Sequence, residues 1–232
     1  MKKSFIYNCL PLLFAVMVAF SFTACGGSDG DDTDYAAIAA MQGALGGETG
    51  GSILDSRIVD LGLSVKWASC NVGATAPEEY GGYYAWGETE EKSDYSFSTY
   101  KYYSGTYGTV DNKTTLEASD DVASVKWGGS WRMPTKAEQD ELRNSCTWKW
   151  TTLNGVNGYR VTGPNGNSIF LPAAGYRHGT KVSRRGSLGY YWSSSSYSSY
   201  SDYAYYLYFD GGDYDWNSIF RYCGHTVRPV CK

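Results

Sequence analysis

The sequence predicts an α+β domain of short strands, one or two helices and long irregular loops, and three observations carry that prediction. Residues 203–209 alternate, with Tyr203, Tyr205, Leu207 and Phe209 on one face and Ala204, Tyr206 and Tyr208 on the other. This is the two-residue period of a strand. Thr135 and Glu138 stand three apart ahead of a charged stretch, the spacing of a capping box that opens a helix. Glycine- and asparagine-marked turns divide most of the remaining domain into short segments.

In chain order, Val59, Leu61 and Leu63 alternate with polar or small residues, and Val65 and Trp67 continue the period, so this stretch reads as strand followed by strand. Tyr80 to Glu88, with Gly81, Gly82 and Gly87, reads as loop and short strand around Tyr83, Tyr84 and Trp86. Residues 89–125 are polar, without clear period, and are expected to form a long irregular insertion. The helix should run from Lys136 to Arg143 or Cys146, with Ala137, Glu141 and Leu142 near its packed face. Trp148–Thr152 and Gly158–Thr162 read as strands around Asn154-Gly155 and Asn157-Gly158 turns. Ser168–Pro172 reads as a buried strand, and residues 173–188 are glycine-rich and basic through Arg177, Lys181, Arg184 and Arg185. Gly211-Gly212 ends the alternating strand, and Thr226–Cys231 is the expected last one.

The N-terminus carries no fold information. Lys2 and Lys3, the apolar run Leu10–Phe20, and small residues at Thr23 and Ala24 read as a signal peptide over residues 1–24. The run is too short for a comfortable membrane span. Phe22-Thr23-Ala24-Cys25-Gly26 resembles a bacterial lipobox, with Cys25 lipidated; ordinary cleavage near Ala24 is the alternative. Ser28 followed by Asp29, Asp31 and Asp32 resembles the surface-export signal of Bacteroidetes lipoproteins. The expectation is an exported outer-membrane lipoprotein at the cell surface. Residues 25–55 would be the lipidated Cys and a flexible acidic, glycine-rich tether, too poor in apolar groups to offset chain entropy. Residues 56–232 form one domain of ordinary size.

The formal charge of −4 offers no basic patch for nucleic acid. Tyrosine occurs 22 times against 8 Phe and 8 Trp, and this excess favours a binding surface over a larger core. Cys70, Cys146, Cys223 and Cys231 remain in the domain, with neither CxxC spacing nor a nearby His pair, so no zinc site is expected. Neither His178 nor His225 sits in a triad or metal motif. Asp213-Tyr214-Asp215-Trp216-Asn217 mimics the start of a calcium loop, but Ser218 and Gly224 stand where its Gly and Glu belong. The Glu-Pro-Asn and Gln-Pro-Asp motifs of calcium-dependent lectins do not occur. Ser193–Ser196 lacks the Gly-x-Ser-x-Gly of a nucleophile elbow. No cofactor, metal or catalysis is expected.

Six ordered segments carry a resemblance: Val59–Ala68, Tyr84-Ala85-Trp86-Gly87-Glu88, Trp131-Arg132-Met133-Pro134-Thr135, Leu171–Tyr176, Tyr191-Trp192-Ser193-Ser194 and Val227-Arg228-Pro229-Val230. Together they resemble the large paralogous domain family of Bacteroidetes and Fibrobacter lipoproteins, which is similar in fold to C-type lectins and the formylglycine-generating enzyme. The resemblance implies that the first and last strands of the domain pair. It also implies that the C-terminal half carries an exposed ligand face. Given that pairing, Cys70–Cys231 is the expected bridge among three possible pairings of the four cysteines. Some proteins of this fold are the variable proteins of diversity-generating retroelements, in which template adenines are rewritten, usually at AAY codons. Between Gly189 and Val230 there is no Lys, Glu, Gln or Met, residues that such codons cannot yield.

The resemblance therefore marks a candidate variable region over residues 190–230. Its expected ligand-binding positions are Tyr197, Tyr200, Asp202, Tyr203, Tyr206, Tyr208, Asp210, Asp213, Tyr214, Asp215, Asn217, Ser218, Ile219, Phe220, Tyr222 and Cys223, all reachable from AAY. Ala204, Tyr205, Leu207, Phe209, Trp216, Arg221 and Gly224 are the expected fixed scaffold between them. Tyr206, Tyr208, Tyr214 and Phe220 are the expected anchors of a Tyr/Ser/Asp-rich paratope. The partner would be an unidentified protein or glycan. A fixed adhesin or glycan-binding paralogue, a formylglycine-generating-type enzyme, and a structural envelope protein are the alternatives.

Overall fold

The computed structural model describes residues 56–103 and 111–232. The expected signal peptide, lipidated Cys25 and tether up to residue 55, together with part of the expected insertion, lie outside them. Among the described residues eleven strands and two α-helices follow in order: β1 (Ile58–Val59), β2 (Lys66–Ala68), α1 (Val122–Trp127), α2 (Lys136–Ser145), β3 (Thr147–Leu153), β4 (Val156–Thr162), β5 (Ser168–Pro172), β6 (Tyr176–His178), β7 (Lys181–Ser183), β8 (Gly189–Ser196), β9 (Tyr203–Phe209), β10 (Tyr214–Phe220) and β11 (Val230–Cys231). The class is α+β, as the alternation and capping signals predict.

The strands form three three-stranded sheets, β1-β2-β11, β3-β4-β5 and β10-β9-β8, plus the β6-β7 hairpin. The first and last strands share a sheet: Val230 pairs with Trp67 and Cys231 with Lys66, antiparallel. Arg132 and Val230 exchange both backbone hydrogen bonds, at 3.0 and 2.9 Å, and tie the Trp131–Thr135 segment to the same closure. The pairing register corrects the expected disulfide. Lys66 lies opposite Cys231 while Val72 N–H donates to the Val227 carbonyl, so Cys70 falls beside Arg228, three residues from Cys231. No disulfide joins them; both are buried thiols, and Cys70 Sγ donates to the Ala74 carbonyl at 3.4 Å.

Local chemistry accounts for the elements. Thr135 caps α2 in a full capping box with Glu138, whose carboxylate also takes Arg132 in a two-pronged pair. Gln139 and Leu142 are the buried residues of this helix, and Ala137, expected to pack, is exposed. Gln139 earns its burial by donating to the Tyr191 and Trp192 carbonyls. Asn154 (φ 48°) and Gly155 (φ 82°) form the two-residue turn between β3 and β4, a left-handed pair that Asn-Gly adopts readily. Asn157-Gly158, the other expected turn, lies inside β4. A Cβ on Gly158 would meet the Leu171 carbonyl at 2.3 Å, so that glycine serves close strand packing. The described residues of the 89–125 stretch are less irregular than expected, holding a 3-10 turn at Phe97–Thr99 and the start of α1. Buried Asp121 caps α1 by accepting from Ala123 and Ser124, and its second oxygen accepts from Met133 N–H.

One core cluster joins Leu61, Trp67, Leu142, Leu171, Leu207 and Phe209. A second joins Trp86, Met133, Trp192, Ala204, Tyr206 and Val227. Together they cover both faces of β9, which explains why that strand is apolar on both sides. The expected last strand shrinks to Val230–Cys231, because Thr226–Pro229 divides its backbone bonds among several partners, Thr226 with Tyr190 and Trp192 of β8, Val227 with Val72 and Pro229 with Ala68 of β2, and forms no continuous ladder with one strand. Thr226–Cys231 is nevertheless wholly buried.

Candidate ligand face

The C-terminal sheet sets the geometry. β9 lies between β8 and β10, so β10 is an edge. Gly189 is where β8 can approach most closely, since a Cβ there would sit 2.0 Å from the Phe209 ring. Leu207 and Phe209 point into one core cluster and Ala204 and Tyr206 into the other. β10 is only partly covered, by Tyr214 against the first cluster and by Ile219 and Phe220 against the second, and every one of its residues is exposed or half-exposed.

The acidic alternation of β10 has a local cause. Asp210 N–H donates to Asp213 and Arg221 N–H donates to Asp202. Antiparallel pairing alternates, so the N–H groups of residues 214, 216 and 218 point away from β9. Each of these outward donors is taken by the preceding side chain: Tyr214 by Asp213, Trp216 by Asp215 and Ser218 by Asn217, all at 2.8 Å. An edge whose donors are occupied by its own Asp and Asn side chains is a poor template for another strand. The Arg143 guanidinium of α2 pairs with Asp215 and ties the edge to the helix.

Aromatic rings form a continuous ribbon along this region. Trp216 meets Tyr205 (5.3 Å between centroids), Tyr205 meets Tyr197 (5.2 Å), Tyr197 stacks on Tyr200 (5.9 Å) and Tyr200 meets Tyr203 (5.6 Å). Tyr203 then meets Phe220 (4.4 Å), Phe220 stacks on Tyr222 (5.1 Å), Tyr222 meets Phe97 (6.1 Å) and Phe97 meets Tyr103 (4.1 Å). Lys136 Nζ stands 4.4 Å above the Trp216 ring, within cation–π range. Tyr197, Tyr200, Tyr203 and Ser218 line a cavity of about 300 Å³. Tyr200, 62% exposed, is the most open large apolar side chain among the described residues.

Fourteen of the sixteen expected positions are exposed or half-exposed. Tyr197, Tyr200, Tyr203, Phe220 and Tyr222 belong to the ribbon, Ser218 to the cavity, and Asp213, Asp215 and Asn217 to the guarded edge. Asp202 accepts the Arg221 N–H through its carbonyl. Asp210 caps the β9–β10 turn by accepting from Gly212 and Asp213. Those bonds, with one from the Tyr208 hydroxyl, hold its carboxyl below the usual range. Ile219 and Tyr208 lean on the second core cluster. Tyr214 stacks on Trp148 at 4.6 Å, which makes it half scaffold.

The remaining two, Tyr206 and Cys223, are in the core. Tyr206 stacks with Tyr190 at 5.2 Å and meets His225 edge-on at 4.8 Å, so the expected anchor at 206 does not reach the surface. Of the expected scaffold, Ala204, Leu207, Phe209, Arg221 and Gly224 are buried. Tyr205 is half-buried and Trp216 is 38% exposed, so both join the ribbon instead. Phe97 and Tyr103 went unnoticed in the sequence because they fall in an aperiodic stretch brought to Tyr222 only by the tertiary fold.

Arg221 is 1% exposed, pairs with Asp111 at 2.7 Å, donates to the Lys113 carbonyl and lies 4.2 Å over Trp86. It anchors the Asp111–Lys113 part of the insertion. Burial pushes the thiols away from reactivity: Cys146 up to about 11, Cys223 up to about 12, and Cys70 upward. A nucleophilic cysteine needs the opposite shift. Among the described residues no group of three or more His, Cys, Asp and Glu is placed to hold a metal ion, and no helix is long and apolar enough to cross a membrane.

The family model described as the Lcl C-terminal domain matches residues 57–231. Neither the curated proteins nor the solved structures contain a match to the chain.

Proposed function

The chain belongs to the Lcl C-terminal domain family, a domain known from variable surface-type proteins, and on that premise we propose that it is a non-catalytic, surface-displayed lipoprotein. In this reading it has a C-type-lectin-like fold and binds a protein or glycan through the aromatic ribbon on its C-terminal sheet. Lipid on Cys25 holds it in the outer membrane, and residues 26–55 let the domain reach outward. The C-terminal face is diversified by a retroelement.

The observation that carries this reading is the sorting of positions by burial. Fourteen expected variable positions lie outside the core, and five of seven expected fixed ones lie inside it. A diversified receptor needs that division, because residues that change must not hold the fold. The ribbon supplies rigid aromatic area with few rotamers to freeze. The Asp and Asn side chains beside it supply polar contacts. Binding would rest on Phe220, an expected anchor, with Tyr200, Tyr203 and Trp216 in place of buried Tyr206 and of Tyr208 and Tyr214, which pack on the scaffold.

Deep sequencing of the 3′ end of the gene across clonal lineages tests it. Substitutions confined to adenine positions of the surface codons between 197 and 222 are expected. An invariant 3′ end in an active population would overturn diversification and leave a fixed adhesin. Binding itself is tested by Tyr200→Ala/Phe220→Ala. That variant should lose adhesion to host-derived surfaces while its circular dichroism stays unchanged.

A further inference from the structure

The basic stretch at residues 177–185 has no part in the ribbon, yet it builds a second concave surface. Gly81, Tyr83, Lys92, Arg177 and Arg185, with Glu91 and Ser93, line an open cleft of about 420 Å³. Its two arginines are held in place by uncharged partners. Arg185 donates from Nε and a terminal nitrogen to the Tyr83 hydroxyl at 3.1 and 3.0 Å and lies 4.9 Å over Tyr80. Arg177 donates to the Lys92 carbonyl at 3.0 Å and lies 5.5 Å over Tyr95. The Arg177 Nε is buried with no hydrogen-bond partner among the described residues. Neither guanidinium forms an ion pair with a described carboxylate.

Two oriented guanidinium groups that line an open cleft, neither of them in an ion pair with a described carboxylate, are built to receive an anion. The charge balance says which kind. Lys92 is neutralised by Glu88 at 2.8 Å, and Glu91 at the wall offsets one of the two arginines. A surplus of one positive charge matches a monoanion, and the planar fork matches a planar one.

We propose that the cleft bounded by Tyr83, Arg177 and Arg185 binds a single carboxylate group, carried by a small organic acid or by the C-terminus of a peptide. The site is independent of the ribbon and of its diversification. It is built from residues outside the expected variable region, so every variant of the chain would keep it.

The test is a titration of the full chain followed through the arginine Nε–H resonances in ¹⁵N correlation spectra. N-acetylglycine should shift the signals of Arg177 and Arg185, and the uncharged N-acetylglycinamide should not. Arg185→Gln, at an exposed position, should weaken N-acetylglycine binding about tenfold. Glu91→Gln, which keeps the acceptor for Tyr83 N–H, should strengthen it by about two- to fivefold. A pentapeptide with a free C-terminus binding more than tenfold tighter than N-acetylglycine identifies a peptide ligand, and equal affinities identify a small acid. Sulfate binding as well as N-acetylglycine would overturn the carboxylate assignment. An unshifted Arg177 and Arg185 would overturn the site altogether.

Discussion

His225 is fully buried between aromatic rings: it stacks on Trp192 at 4.0 Å and meets Tyr206 at 4.8 Å and Tyr190 at 5.1 Å. Neither imidazole nitrogen has a hydrogen-bond partner among the described residues. Burial therefore holds its pKa well below the usual value, since a charged ring there would have no compensating contact. The sign of the pH effect follows. Above about pH 6.5 the imidazole is neutral folded or unfolded, and contributes no pH dependence. Below that value only the unfolded chain takes the proton, and stability falls by about 1.4 kcal/mol per pH unit until the depressed folded pKa is reached. His225→Phe keeps a ring against Trp192 and removes the proton. Urea unfolding of both proteins at pH 7 and pH 5 should show a stability difference that shifts in favour of the variant at the lower pH. Equal pH dependence in the two proteins would mean that His225 finds a proton-compatible partner. Asp121 works in the opposite sense, because burial raises its carboxyl pKa, so the comparison with the variant isolates the histidine.

Strand β10 shows why an acidic, tyrosine-rich sequence remains compatible with a sheet edge. The side chains of Asp213, Asp215 and Asn217 each cover the next outward N–H, and two of them add charge against a second strand. Asp213→Ala/Asp215→Ala/Asn217→Ala should free the three outward donors of residues 214, 216 and 218 on a seven-residue edge. The expected outcome is concentration-dependent dimerisation in sedimentation velocity, with unchanged thermal stability at low concentration. A monomer at all concentrations would show that the twist of the strand protects the edge instead. Strands and helices such as these were legible in the sequence where one physical signal dominated. The capping box placed α2 to within a residue at its start, the Asn154-Gly155 pair placed the β3–β4 turn, and Ser168–Pro172 was read with its observed ends. The failures share a cause. Gly158 looks like a turn residue, but tight packing on β5 places it inside a strand. Thr226–Pro229 reads as strand, but its backbone bonds are split among β8, β2 and Val72, so no single ladder forms. The 89–125 stretch carries no period because the described residues in it are held by contacts made far away in sequence, such as Tyr95 with Gly179 and Leu116 with Ser194.

The candidate face was legible as a set of residue types, but its division into surface and core was not. Period-two alternation puts Tyr203, Tyr205, Leu207 and Phe209 on one face and Ala204, Tyr206 and Tyr208 on the other, and it cannot say that both faces are covered. Burial of both faces along the middle of β9 removes Tyr206 from the ligand surface, and exposure of the β10 edge adds Trp216 to it. The same division sets which positions tolerate change. Tyr206→Asp or Cys223→Asp would put a carboxylate into the second core cluster, where no cation faces it among the described residues, and would also open a void at position 206. Each should cost at least about 3 kcal/mol, a large share of the stability of an ordinary domain. Tyr200→Asp and Asn217→Tyr change equally drastic chemistry at exposed positions and should stay within about 0.5 kcal/mol of the parent. Chemical denaturation of these four variants decides the matter. If the two groups separate as stated, codons 206 and 223 lie outside the set that a retroelement can rewrite without loss of the fold, although both residues are reachable from AAY. If Cys223→Asp unfolds no more readily than Tyr200→Asp, the second core cluster does not depend on position 223, and the surface-versus-core division that supports a diversified face loses its basis.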